Sequence, residues 1–341
     1  MSDTEVADAI EQVNATFEEL ADLENEFEDV ETEIIRQQHA LTKSLYEKRK
    51  KLIAKIPSFW PLVIEAAPPD VDQYIQPSDQ ALLLSSLENL TVSHFEIENG
   101  GKGDPRSISI KMEFSENEYF EDKILEKKFW YRRSKDGYAG LVSEPISIKW
   151  KKNKDLTQGM LDLVMKVWEQ DKTKGQSNGD SKKKTTKSED WTADQKALRE
   201  KIDAMGLGGV SFFCWFGYRG EDVSAEESRV ATEEEKKRRA ERATVKAGPE
   251  SKDAMEDEDE DDDDDEEDPL ALEIFPDGDE LAVAISEDLW PSAIKYFTQA
   301  QETDAISDID FEDMDEDDDE DVDIKGGDDD DEAPPLKKVK A

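Results

Sequence analysis

Residues 10–56 read IEQVNATFEELADLENEFEDVETEIIRQQHALTKSLYEKRKKLIAKI. Apolar residues recur there mostly at three- and four-residue steps: Ile10, Val13, Phe17, Leu20, Leu23, Phe27, Val30, Ile34, Leu41, Leu45 and Leu52. That spacing predicts one long helix with a single apolar stripe. The seven-residue series Val13, Leu20, Phe27, Ile34, Leu41 is unbroken, whereas the series Ile10, Phe17, Glu24, Glu31, Gln38, Leu45 turns polar in its middle. The step from Leu20 to Leu23 to Phe27 departs from strict heptads, so the stripe drifts around the helix. At about 1.5 Å per residue the helix runs about 70 Å, longer than a globule of this size can cover. Much of the stripe therefore needs a second chain, and the expectation is a homodimer spine built on Ile10, Val13, Phe17, Leu20, Phe27, Val30, Ile34, Leu41 and Leu45, with the direction of the partner helix open. The alternative is a helix lying wholly along its own domain.

Outward from this helix, Pro57 stops it, and Ile56-Pro57-Ser58-Phe59-Trp60-Pro61 begins a segment rich in large apolar groups. Ser78 or Asp79 can cap a short helix carrying Ala81, Leu82, Leu83, Leu84 and Leu87. The period then changes to alternation, in Leu90, Val92, Phe95 and, after a Gly-rich turn, Ile108, Ile110, Met112, Phe114. A second strand pair is predicted over 124–132 and 146–150, joined through residues 134–140. Four antiparallel strands leave one face to cover. Leu156, Met160, Leu163, Val164, Val167 and Trp168 at helical spacing could cover it, as could the aromatic run 212–218. Residues 171–190 read as a flexible loop, 194–209 as a helix, and 232–246 as an exposed, partly helical arm with Glu and Lys/Arg four apart.

The 341 residues carry 88 acidic against 44 basic side chains, a net charge of −44. From Asp253 onward there are 39 acidic and 5 basic residues, including thirteen consecutive acids from Glu256 to Asp268. No packed structure forms in such a run. Apolar residues return between the acidic runs, from Leu270 to Phe297, and this island must fold back onto the sheet as its last helical part. A field of this sign repels phosphates and anionic membranes and draws in polycations, so the expected ligand is basic protein. Such runs can merely keep a chain soluble, but the apolar island between them tethers the acid beside a structured surface, which favours collection of basic tails. Cys214 is the one cysteine, which excludes a disulfide framework and fits a reducing compartment. No signal peptide or membrane span is expected, and the chain reads as soluble and intracellular. With only His39 and His94, the first on the spine helix and the second in a strand, neither a histidine metal site nor a catalytic triad is expected, and no cofactor loop is present.

Five segments, taken together and in order, resemble the nucleosome assembly protein family, in its SET-like branch. They are 49–60 (RKKLIAKIPSFW), 114–125 (FSENEYFEDKIL), 148–157 (IKWKKNKDLT), 211–216 (SFFCWF) and 288–297 (DLWPSAIKYF). The resemblance implies an α+β fold: a long N-terminal dimerisation helix, then an earmuff domain with an antiparallel four-stranded sheet backed by helices, with disordered acidic segments. The corresponding division is a helix over 1–56, the earmuff domain over 57–220, a charged insertion with its acidic run over 221–268, a C-terminal helical part over 269–300, and an acidic tail over 301–341. The insertion departs from the family pattern. Implied function is that of a non-enzymatic, ATP-independent histone chaperone of the nucleus, able to shuttle to the cytoplasm, with core histones as partners and DNA touched only weakly through them. Phosphatase inhibition, carried by some SET-like members, is the alternative. Candidate histone contacts are Glu116, Glu118, Glu121 and Asp122; Asp277, Asp279, Glu280, Glu287 and Asp288; and Asp261, Asp262, Asp263, Asp264 and Asp265 in the acidic run. Lys337, Lys338 and Lys340, near the end of the sequence, resemble a short nuclear import signal. Lys182, Lys183 and Lys184 read as an open loop rather than a DNA contact.

Overall fold

The computed structural model describes residues 3–177, 191–205, 209–245 and 271–312. Residues 1–300 form one compact unit and 301–341 a second, of which only the helical residues 301–312 are described. The acidic run 256–268, Asp261 to Asp265 within it, Lys182 to Lys184, and Lys337, Lys338 and Lys340 lie outside the described residues.

Helix α1 runs unbroken from Asp3 to Ile53. The short helices α2 (Phe59–Glu65) and α3 (Pro69–Asp72) follow, then α4 (Pro77–Ser86). Helix α4 begins earlier than a Ser78 or Asp79 cap would allow. Pro77 occupies the first turn, where its missing N–H costs nothing, and the Asp79 side chain reaches back to accept from the Gln76 amide at 3.1 Å.

Four strands follow: β1 (Leu87–Ser93), β2 (Ile108–Phe114), β3 (Ile124–Arg133) and β4 (Ala139–Ser143), an antiparallel meander in that spatial order. In register, Leu90 faces Met112, Ile110 faces Lys127 and Tyr131 faces Leu141. The fourth strand is not the expected 146–150. Gly137, at φ +91°, supplies the left-handed residue that turns the chain immediately after β3, so pairing resumes at Ala139 and ends before Pro145. Residues 146–150 form no strand: Trp150 makes an isolated bridge to Phe120, and the Ile146 amide donates to the Phe216 carbonyl at 2.8 Å.

Helices α5 (Met160–Ser177) and α6 (Ala193–Met205) pack on each other. The aromatic run becomes a buried 3-10 turn, Phe212–Gly217, whose Trp215 stacks on Phe129 at 5.4 Å. Asp79 is fully buried and ties this turn to α4, accepting from the Ser211 hydroxyl at 2.6 Å and the Phe212 amide at 2.7 Å. Lys127 is also fully buried. Its ammonium donates to the carbonyls of Glu144, Phe216 and Tyr218 at 3.1, 3.2 and 2.9 Å.

The arm is a regular helix, α7 (Ala225–Val245), and is less free than its sequence suggests. Ala231 is buried, Ser228 accepts from the Arg133 amide of β3 at 3.0 Å, and Arg239 donates to Asp29 of α1 at 2.9 Å. The apolar island folds back as expected. It forms α8 (Gly278–Ala284), a π turn over Ile285–Leu289, and α9 (Ala293–Glu312). Trp215 secures it, donating from its indole nitrogen to the Gly278 carbonyl at 2.7 Å.

Candidate acidic docking site

Gly278 sets the position of the site. A Cβ built on it would fall 2.3 Å from Cγ of Tyr218, so only glycine lets α8 seat this close to the core. That seating places Asp277, Asp279 and Glu280 at the surface beside α3. Asp70 of α3, which the sequence reading missed, joins them. Burial and the charges of Asp277, Glu280 and Asp70 push the Tyr74 phenol up to about 12, and Tyr74 donates to Asp277 at 3.3 Å. Across the π turn, Tyr296 donates to Asp288 at 2.6 Å and is likewise pushed up to about 12, by burial and then by that carboxylate. Tyr138 reaches about 12 through burial and the charge of Asp279. All three phenols are raised first by burial and then by carboxylates of this region.

The patch opens into a cleft of about 1020 Å³ between α1, β1 and the α8–π segment. Six carboxylates line it: Glu47, Asp70, Glu98, Asp279, Glu280 and Glu287. None of them is in an ion pair with Lys or Arg among the described residues. The cations of the cleft are mostly committed elsewhere. Arg106 binds Glu28 and Asp104 at 2.5 and 2.7 Å, Lys50 lies 3.8 Å from Glu113, and the Arg49 guanidinium sits 4.5 and 4.6 Å from the Tyr46 and Trp290 ring centres while donating to the Pro291 carbonyl.

The structure therefore brings together Asp277, Asp279, Glu280, Glu287 and Asp288, and adds Asp70, Glu47 and Glu98. Glu116, Glu118, Glu121 and Asp122 lie apart, in the loop between β2 and β3, with no hydrogen bond or ion pair to the patch. Two of them tie that loop to the segment after β4: Glu118 pairs with Lys154 at 3.2 Å and Asp122 accepts from the Lys149 amide at 2.7 Å.

Helix α1 presents two faces. Glu28, Arg36, Tyr46 and Arg49 hold it to the domain: Glu28 accepts from Arg106, from Arg133 at 2.6 Å and from the Tyr131 hydroxyl at 3.2 Å, and Arg36 donates to the Gly103 carbonyl at 2.6 Å. Burial would raise the Glu28 carboxyl, but the two guanidinium hydrogen bonds outweigh it and hold the group below the usual carboxylate range. His39 joins this face, its ring edge-on to His94 at 5.4 Å, so the two histidines that sequence separates are neighbours. At about 100° per residue the apolar stripe from Leu23 to Leu52 points roughly a quarter turn or more away from Glu28, His39 and Tyr46. From Phe17 to Leu52 its large side chains are 45–76% exposed. Ile10 and Val13 lie within α1, but their side chains fall outside the described residues. Among the described residues no group of three or more His, Cys, Asp or Glu could hold a metal ion, and no helix is long and apolar enough to cross a membrane.

Residues 53–300 match the family model described as nucleosome assembly protein (NAP). A nucleosome assembly protein of Schizosaccharomyces pombe is 37% identical over 151 residues, which span 41% of this chain and 59% of that one. Protein SET of Drosophila melanogaster is 30% identical over 159 residues, 46% of this chain and 56% of the relative. These two alignments span little more than half of each relative's length. NAP1-related protein 1 of Oryza sativa subsp. japonica is 26% identical over 295 residues, covering 86% of this chain and 72% of its own. Among solved structures, the crystal structure of Vps75 covers 84% of this chain and 99% of its own, at a TM-score of 0.49 and 21% identity.

Proposed function

The chain belongs to the nucleosome assembly protein family, and from that premise we propose that it is a nuclear histone chaperone, binding core histones on the acidic patch of α3, α8 and the π turn. The observation that carries this reading is the set of six carboxylates lining one cleft, none of them in an ion pair with Lys or Arg among the described residues. Folding has already placed these charges side by side, so a polycationic partner meets a preorganised field. Histone lysines and arginines exchange DNA phosphates for carboxylates and return to DNA by competition, with no need for ATP. The acidic run 256–268 and the acids beyond residue 312 add further charge of the same sign to the chain. Lys337, Lys338 and Lys340 supply the import signal.

The working form is a homodimer through α1. An exposed stripe of this length on a helix whose other face is already clamped to the domain supports a partner helix over the alternative of α1 lying wholly on its own domain. The charge along α1 favours antiparallel pairing. Residues 3–33 carry thirteen acids and no Lys or Arg, while 34–55 carry seven basic residues and one acid. Antiparallel helices set each acidic half against a basic half, whereas parallel ones would align like charge throughout.

The test is a nucleotide-free assembly reaction. Core histones premixed with the protein and then given plasmid DNA are expected to remain soluble and to yield nucleosomes with protected DNA. Precipitation as heavy as with histones and DNA alone would remove the chaperone reading.

A further inference from the structure

Sheet order leaves β1 with one free edge, and hydrogen-bond parity shows which groups lie on it. On β2, the Phe114 amide donates toward β3, to the Lys123 carbonyl, and the next amide, Ser115, donates to Ser86. Ser109, Lys111 and Glu113 therefore point to β1, where Thr91 and Ser93 are opposite Lys111 and Ser109. Leu90 and Val92 are left pointing outward. The Leu90 carbonyl is capped by the Trp290 indole at 3.1 Å. The Leu90 amide and both backbone groups of Val92 make no hydrogen bond among the described residues, although Leu90 is 1% and Val92 6% exposed. Backbone groups left unpaired in a largely buried setting carry a free-energy cost that a partner would relieve. Both residues line the acidic cleft.

We propose that the outward edge of β1 is a docking site for an extended, lysine- or arginine-rich peptide segment, which adds to the sheet as a further strand inside the cleft. This rests on the chaperone reading and refines it: the acidic patch accepts the partner's side chains, and β1 accepts its backbone. Strand addition gives affinity through the main chain, and alternate side chains then point to opposite walls. The walls here select for cations, because Glu47 and Glu98 stand at the α1 and β1 side, Glu280 and Glu287 at the α8 side, and Lys43 is the one cleft lysine with no described tie. A disordered basic tail fits this geometry and a folded basic surface does not, since only an extended backbone can reach the Val92 amide and carbonyl between α1 and the π turn.

The experiment uses the full chain and a labelled peptide of alternating lysine and threonine, with a second copy of that peptide N-methylated at every other residue. Both carry the same charge, so tail electrostatics binds them equally and the difference isolates strand pairing. At ~150 mM salt, the unmodified peptide is expected to bind about tenfold or more tighter than the methylated one, and to slow hydrogen exchange at the Leu90 and Val92 amides. Equal binding of the two peptides, or unchanged exchange at those amides, overturns the proposal. If intact histones then still bind in a manner sensitive to the acidic patch, the chaperone reading survives and strand addition alone fails; if neither peptide nor histones bind, both fall. Slow exchange without peptide that is lost when Lys337, Lys338 and Lys340 become glutamate would assign the edge to this chain's own basic end, and also overturns the proposal.

Discussion

Gly278 and Lys127 carry the site from inside. The acids of α8 reach the surface where they do because residue 278 has no side chain and its carbonyl is held by Trp215. Gly278→Ala drives a methyl into the Tyr218 ring. It is expected to cost about 2 kcal/mol, as overpacked sites do, read by chemical denaturation, and to weaken histone binding more than a surface glycine substitution of α8's neighbourhood would. Lys127 ties the end of the 3-10 turn to the chain just after β4, through the carbonyls of Phe216, Tyr218 and Glu144. Lys127→Met keeps the volume but leaves those acceptors buried without donors, for an expected loss of about 3 kcal/mol; an unchanged denaturation midpoint would contradict this. Neither residue is legible in the sequence. A lysine in an alternating strand reads as solvent-facing, and a glycine beside aspartates reads as a turn, because both roles depend on contacts with residues some 60 to 90 positions away. Asp70 escaped for the same reason: its partners on α8 lie about 200 residues on, and nothing local marks it.

At the scale of elements, periodicity was a sound guide wherever one face of an element is buried and the other is not. Helix α1, the alternation in β1 and β2, and the folded island all follow from it. It failed where turn geometry decides: Gly137 moved β4 into what looked like a loop, and Pro145 closed off the stretch that looked like a strand. It was also silent about which face of α1 does what. Glu28 is one acid among thirteen in its half of the helix, yet it is the one held by two guanidinium groups. Because its folded-state carboxyl sits below the usual range, its contribution is present above the ordinary carboxylate pKa and is lost as pH falls through the folded value. Acidification below about pH 4.5 is therefore expected to loosen α1 from the sheet, and Glu28→Gln to cost about 1 kcal/mol at neutral pH and to remove that part of the acid dependence. Amide exchange in residues 24–36 measures both; identical acid profiles for variant and parent would refute the assignment.

For the whole molecule, charge and exposed apolar surface are the two quantities that point beyond a single chain. Phe27→Asp with Ile34→Asp places charge in the centre of the exposed stripe and is expected to convert the proposed dimer to monomer in sedimentation equilibrium, with the sheet domain still folded by its near-ultraviolet circular dichroism. A dimer that persists would place the contact elsewhere. The central claim is that the folded patch, and not the acidic run alone, recognises histones. The measurement that tests it most directly is the affinity of fluorescent core histones, at ~150 mM salt where long-range charge is screened beyond about 8 Å, for the full chain and for the same chain with Asp70→Asn, Asp277→Asn, Glu280→Gln and Glu287→Gln. The four changes remove four charges from a total excess of 44, so a diffuse collector would barely notice them. A loss of about tenfold or more is the predicted result, and affinity within twofold of the parent would contradict the account.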